Sequence, residues 1–163
     1  MTALRGTLLQ SEPLAHYTTW RVGGPARQLY KPADLDDLAL FLKTLPREEP
    51  ILFLGLGSNS LIRDGGFNGT VIITQGRLKN IDQLQPGHIR VEAGVSCATM
   101  ARFCARHQRA DAEFWAGIPG TMGGALRMNA GCFNGETWQH LISAETLTRD
   151  GTRHLREPAS FQI

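Results

Sequence analysis

A chain of 163 residues is long enough for one sizeable domain or two small lobes around an apolar core. Its 42% hydrophobic and 20% charged residues are ordinary for a soluble globular protein, and a net charge of +2 from scattered Lys and Arg argues against a nucleic-acid surface. No apolar run reaches the length of a membrane span, and Met1 to Ser11 lacks the basic start and apolar stretch of a secretory signal.

Gly23, Gly24 and Pro25 make a turn, and Gln28 to Tyr30 follow as a short strand. Pro32 introduces a helix over about residues 34–44, with Asp34 as N-cap and Leu35, Leu38, Ala39 and Leu42 as the buried stripe. Pro46 and Pro50 end it. Ile51 to Leu54 is wholly apolar, the pattern of a strand buried on both faces. Turn signals at Gly65, Gly66 and Asn68-Gly69 precede another strand, Val71 to Thr74. Residues 1–75 therefore read as a first α/β lobe, ordered β-α-β-loop-β.

Residues 76–163 read as a second, α+β lobe. Ile89, Val91 and Ala93 alternate with Arg90 and Glu92 as in a half-buried strand. Ser96 caps a helix from Cys97 to about His107, with Met100, Phe103, Cys104 and His107 on neighbouring faces. Cys97 and Cys104, seven apart, share one face as small core residues. With Cys132 the cysteines are odd in number and lack CxxC spacing, which argues against zinc or a disulfide framework and fits a reducing cytoplasm. Ile142 to Thr148 alternates again, Asp150-Gly151 signals a hairpin, and Arg153 to Arg156 form the returning strand. After a turn at Pro158, Phe161 and Ile163 alternate around Gln162 as if entering another strand. His16, His88, His107, His140 and His154 form no HExxH or other ligand spacing, so no metal is expected.

Two glycine-rich segments carry the functional signal. Gly55-Leu56-Gly57-Ser58-Asn59-Ser60 directly follows the apolar strand. Glycines there let the backbone approach a ligand closely, and successive N–H groups can cradle phosphate oxygens without a fixed cation. A dinucleotide-binding GxGxxG is excluded: Ser60 takes the third glycine's place, and Gln75-Gly76 stand where a ribose-binding carboxylate belongs. The loop should run between strands; a plain turn is the alternative.

The second segment, Gly117-Ile118-Pro119-Gly120-Thr121-Met122-Gly123-Gly124-Ala125, continues to Asn129-Ala130-Gly131-Cys132. Its glycines are too dense for an ordinary helix or strand, while Ile118, Pro119, Met122 and Ala125 argue for an ordered, partly buried path along an extended ligand rather than a flexible loop. Together the loops suit a dinucleotide, one holding its pyrophosphate and the other lining its length. Neither has a P-loop lysine.

Three motifs, in order, resemble one family: Thr18-Thr19-Trp20-Arg21-Val22-Gly23-Gly24-Pro25-Ala26, then Gly55 to Leu61, then Ala116 to Gly124 with Met128-Asn129-Ala130-Gly131. That family is UDP-N-acetylenolpyruvoylglucosamine reductase (MurB), within the vanillyl-alcohol-oxidase-like (VAO/PCMH-type) flavoproteins. The resemblance implies an α+β, two-lobed FAD-binding domain. FAD would lie non-covalently between the lobes, consistent with the lack of histidine in both loops. It implies Gly55, Leu56, Gly57, Ser58, Asn59 and Ser60 at the pyrophosphate, and Pro119, Gly120, Thr121, Gly123 and Gly124 along the flavin, with Thr121 offering a hydroxyl. Asn129 and Gly131 join the cofactor set, although Asn129 equally suits buried backbone groups. Arg21 and Arg127 read as surface ions.

The resemblance further implies NADPH as reductant and a UDP-sugar substrate. The protein would be a cytoplasmic monomer acting in peptidoglycan precursor synthesis, with no metal, membrane or nucleic-acid partner. The family's catalytic Arg, Ser and Glu, and its substrate domain, are expected outside these residues, the Arg a few positions past Ile163. No catalytic residue is assigned here. Another flavoprotein oxidase or dehydrogenase of the superfamily, or a stand-alone flavin-binding module, stays open.

Overall fold

A computed structural model describes residues 3–162. Four strands form the first sheet: β1 (Thr7–Pro13), β2 (Pro25–Lys31), β3 (Ile51–Leu54) and β4 (Phe67–Ile73), in spatial order β1-β2-β4-β3. β1 pairs antiparallel with β2, while β4 runs parallel to both β2 and β3. Period-two side chains divide two cores across this sheet. Leu29, Val71 and Ile73 enter a cluster with Leu14 and Leu54, and Tyr30 and Ile72 enter the opposite one with Leu38, Phe41 and Leu42.

The central strand buried on both faces is thus β4, whose Val71 and Ile72 are fully inaccessible. β3 departs from the expectation for Ile51 to Leu54. It lies at the sheet edge, and Phe53 stays half exposed beside a concavity lined by Leu42 and Leu147. β1 escaped sequence reading because its side chains are mostly exposed and show no alternation.

Helix α1 (Leu35–Thr44) starts as expected, the Asp34 carboxylate accepting the Asp37 N–H at 2.9 Å. Its buried face, however, is Asp37, Leu38, Phe41 and Leu42, with Leu35 and Ala39 only half buried. Phe41 stacks on Tyr30 at 3.7 Å between ring centroids. Asp37 tolerates burial because it accepts bonds from the Arg5 N–H (2.7 Å), the Tyr30 hydroxyl (2.7 Å) and the Ala33 N–H (2.9 Å). Burial pushes its pKa upward, but these donors outweigh that and hold it below its ordinary value.

Asp37→Ala is expected to cost about 3 kcal/mol, a Tm drop of roughly 6–12 °C, because it strips three donors of their acceptor. A depressed folded pKa contributes stability that is present above the unfolded value of 3.8 and is lost as pH falls through the lower folded value. Thermal melts of Asp37→Asn should accordingly lose less Tm than wild type as the pH is lowered below that value. Parallel acid dependence in the two proteins would contradict this role.

After the first sheet comes the hairpin of β5 (Ile81–Gln85) and β6 (His88–Val91), followed by α2 (Cys97–Arg106). Ser96 caps α2 by accepting the Thr99 N–H at 3.1 Å. Cys97 and Cys104 are buried on one face as expected, and burial pushes the Cys97 thiol up to about 11. They pack with Met100, Phe114, Trp115, Ile118 and Met122 into a third core.

The glycine-dense segment is not extended throughout. Met122–Met128 forms a helix, α3, containing Gly123 and Gly124. Density of glycine was misleading because here it serves close packing: a Cβ on Gly123 would lie 2.7 Å from the Ala93 Cβ. After α3 come the short hairpin β7 (Gly131–Cys132) and β8 (Gly135–Glu136), then β9 (Ala144–Leu147) and β10 (Arg153–Arg156).

The β9–β10 hairpin has the expected Asp150-Gly151 turn, with Gly151 at φ +74°. It follows α3 in sequence but packs on the α1 side of the first sheet. Leu147 joins the α1 core, Gly151 abuts the Ala39 carbonyl, and Arg149 Nη1 donates to the Glu49 carbonyl at 2.7 Å. Pro158–Ser160 forms one 3-10 turn, and the further strand expected toward Ile163 falls partly outside the described residues.

Candidate functional site

Gly55 to Ser60 lie in the connection between β3 and β4, with no helix between them, as the sequence indicates. Gly57 has φ +69°, and its carbonyl accepts the Thr19 N–H at 3.2 Å. A Cβ there would lie 2.0 Å from the Tyr17 carbonyl oxygen, so this glycine admits the Tyr17–Thr18 backbone. Gly55 and Ser58 face the other way. A Cβ on Gly55 would meet the Thr121 hydroxyl oxygen at 2.3 Å, and one on Gly120 would lie 3.7 Å from Ser58 Oγ. The structure therefore brings the two glycine loops together, 66 residues apart in sequence at Gly55 and Thr121.

The second loop is held from below by the β6–α2 junction. Cys97 N–H donates to the Gly120 carbonyl (2.9 Å), Met122 N–H to the Val95 carbonyl (2.8 Å) and Gly123 N–H to the Ala93 carbonyl (2.9 Å). Thr121 is buried and caps α3, its hydroxyl oxygen accepting the Gly124 N–H at 3.4 Å. That bond uses a lone pair and leaves the hydroxyl proton to donate. Ala93, Val95 and Ser96 thus shape the site; the sequence marked Ser96 only as a helix cap.

Among the described residues, the N–H groups of Gly55 through Asn59, and those of Gly120 and Thr121, find no acceptor in the protein. Ser58 and Ser60 are half buried and Asn59 is exposed. No Lys, Arg or His stands in either loop. Unpaired amides around a glycine-lined surface bind anionic oxygens through backbone dipoles alone. Such a cradle fits a pyrophosphate. It also fits the rest of a dinucleotide, because the glycines at 120 and 124 leave the space above them open, with ordinary contact distances only.

The remaining residues of the expected set differ in their surroundings. Leu56 is half buried and Pro119 exposed within the loops. Asn129 takes a left-handed conformation at the far end of α3, about 12 Å along the helix from Thr121. Its amide is engaged internally, donating to Glu136 (3.1 Å) and accepting the Trp138 N–H (3.1 Å). Gly131 permits the β7–β8 hairpin, since a Cβ would lie 2.6 Å from the Gly135 carbonyl. Concavities of about 530 Å³ beside Phe114, Phe133 and His140, and of about 180 Å³ beside Leu42, Phe53 and Leu147, contain none of these loop residues. No cluster of metal-ligating side chains and no helix long and apolar enough to cross a membrane occurs among the described residues.

The sequence profile of the FAD binding domain family matches residues 26–155. The chain is 66% identical over its full length to a UDP-N-acetylenolpyruvoylglucosamine reductase of Legionella pneumophila (strain Paris), covering 54% of that protein. It is 54% identical over 159 residues to the enzyme of that name from Methylococcus capsulatus (strain ATCC 33009 / NCIMB 11132 / Bath), covering 52% of it. The crystal structure of UDP-N-acetylenolpyruvylglucosamine reductase (MurB) from Thermus caldophilus superposes with a TM-score of 0.72 at 31% identity, over 96% of this chain and 53% of that one. The chain thus spans about half the length of the relatives it matches. With its α+β fold and paired glycine loops, it belongs to the FAD binding domain family, in the form carried by UDP-N-acetylenolpyruvoylglucosamine reductases, and its cofactor is FAD.

Proposed function

We propose that the chain supplies the FAD-binding part of a reductase that converts UDP-N-acetylglucosamine enolpyruvate to UDP-N-acetylmuramate, a cytoplasmic step of peptidoglycan precursor synthesis. The observation that carries this reading is the meeting of two glycine loops with unpaired amides, Gly55 on Thr121 and Gly120 opposite Ser58. When bound, FAD supplies hydride transfer, with NADPH as the reductant and the enolpyruvyl double bond as the acceptor.

The protein's own part is binding and orientation. Amides of Gly55 to Asn59 hold the pyrophosphate, with Ser58, Asn59 and Ser60 side chains adding bonds at its rim. Thr121 donates its hydroxyl proton toward the cofactor while its oxygen keeps α3 capped. Pro119 to Gly124 line the flavin and keep the backbone close to it. Division into lobes near residue 75 places the cofactor where the two meet. The residues that grip the substrate carboxylate and protonate carbon are assigned to parts of the longer relatives that this chain does not cover.

The test is flavin retention followed by turnover. After incubation with FAD and desalting, the chain should be yellow with about one flavin per chain, as a single dinucleotide site requires. With NADPH and the UDP-enolpyruvyl sugar it should show no substrate-dependent oxidation, since loss of a positioned general acid alone costs about 10²–10⁴-fold. Colourless protein would overturn the cofactor assignment. A substrate-dependent rate near that of ordinary enzymes would move the catalytic residues into this chain.

A further inference from the structure

The two glycine loops meet at Gly55 and Thr121, yet separate hydrophobic cores carry them. Leu54, next to Gly55, belongs to the first-sheet core, whereas Ile118 and Met122 around Thr121 belong to the core built on α2. Near the loops these two bodies are joined at Gly94. Its N–H donates to the Leu78 carbonyl at 2.8 Å, and a Cβ there would lie 1.8 Å from the Thr74 carbonyl. Bodies joined along one seam can pivot about it, so a fixed angle between them needs a second, remote attachment.

The β9–β10 hairpin supplies that attachment. Four side chains of alternating charge run across it from β6 to α1. Arg90 on β6 donates to the Glu145 carboxylate at 2.9 Å, Glu145 lies 3.7 Å from Arg153 Nε, and Arg153 pairs with Asp36 on α1. At the hairpin turn, Arg149 Nη1 donates to the carbonyls of Arg47 (3.0 Å) and Glu49 (2.7 Å), just ahead of β3. Glu49 is itself fixed, since its buried carboxylate accepts bonds from Arg27 and from the Thr70 hydroxyl. The hairpin thus grips β3 at its start, and the cradle begins at the other end, about 13 Å of strand away. Isolated exposed ion pairs are weak, but a linked network with charge-assisted bonds to backbone carbonyls is not.

We propose that the β9–β10 hairpin is a clasp that fixes the separation of the two glycine loops, with Glu145 and Arg149 as positioning residues for FAD. The proposal rests on the FAD-binding reading and deepens it by naming what keeps the site preorganised. Both residues act on the cofactor through the strands they hold, Arg149 through β3 and Glu145 through β6. A ligand that spans both loops depends on the clasp, and one held by the first loop alone does not.

The experiment compares FAD and ADP binding to the wild-type chain, Arg149→Ala, Arg149→Lys and Glu145→Lys by calorimetry. ADP carries a diphosphate for the first loop and no flavin to lie along the second. Arg149→Ala, which removes two charged hydrogen bonds, and Glu145→Lys, which sets a cation between Arg90 and Arg153, should each weaken FAD about tenfold or more. ADP should stay within about twofold of wild type in both. Arg149→Lys should recover part of the lost FAD affinity, because it keeps a charged donor at the turn. Unchanged FAD affinity in both Arg149→Ala and Glu145→Lys would overturn the clasp while leaving the flavin site standing. Equal losses for FAD and ADP would overturn it too, since the substitutions would then act by general destabilisation. Failure of wild type to bind FAD would remove the flavin reading itself, and this proposal with it.

Discussion

Gly57→Val is expected to melt roughly 8–16 °C below wild type and to bind no FAD, the largest effect of any single change in the cradle. The first reason is backbone conformation: at φ +69° a β-branched residue is a steric outlier, a penalty of about 1–2 kcal/mol before any contact is counted. The second is that its Cβ would lie 2.0 Å from the Tyr17 carbonyl oxygen and 2.9 Å from the Thr18 Cα, both backbone atoms with no rotamer to yield. Separating them breaks the Thr19–Gly57 hydrogen bond and moves the Thr18–Gly24 turn off the loop. The sum is about 4 kcal/mol, in the range reserved for strain and packing defects. From sequence alone the same substitution reads as a block to the cofactor; in the structure it meets the protein's own backbone first. Gly123→Val shares this character through Ala93. Circular-dichroism melts with a flavin-binding assay decide the matter, and a Gly57→Val protein that melts within about 2 °C of wild type would contradict the loop geometry.

Gly120→Val is expected to do the reverse: to leave folding intact and to weaken FAD binding at least about 100-fold, or roughly 2.7 kcal/mol. Here the nearest atoms to a new Cβ are Ser58 Oγ at 3.7 Å and Ile118 Cγ2 at 4.0 Å, ordinary van der Waals contacts, and the residue is outside the left-handed region. The branched side chain therefore projects into the gap between the loops without displacing protein. Its two methyls would stand where the cofactor must pass and would shield the unpaired Gly120 and Thr121 amides. Melting of the FAD-free variant should stay within about 2 °C of wild type. Lys79→Ala, an exposed change away from both loops, should alter neither property. If Gly120→Val folds normally and keeps full FAD affinity, the cofactor does not run between the loops.

Several elements were legible because their signals are local. Asp34 and Ser96 announce helix starts through side-chain oxygens that cap nearby N–H groups, and both caps are present. Asp150-Gly151 marks a hairpin because the turn needs a glycine at positive φ, and Gly151 supplies it. The glycine loops stood out for the same backbone reason, and the three ordered motifs pointed to the family that the comparisons support.

What only the tertiary structure decided depends on partners distant in sequence. An apolar tetrad such as Ile51 to Leu54 encodes a strand but not its place in the sheet, so the doubly buried position went to β4 instead. Periodicity could not place Asp37 in the core, since a buried carboxylate is permitted only by donors from Arg5, Tyr30 and Ala33, which the fold assembles. Asn129 could be read from sequence as a cofactor contact or a backbone partner, and the fold engages its amide with Glu136 and Trp138. Glycine composition likewise cannot say whether the missing Cβ makes room for a ligand or for the chain itself. Gly57 makes room for the Tyr17–Thr18 backbone and Gly123 for Ala93, whereas Gly120 leaves room for something else. The difference lies in what stands within 4 Å, and that is set by packing between segments that the sequence keeps far apart.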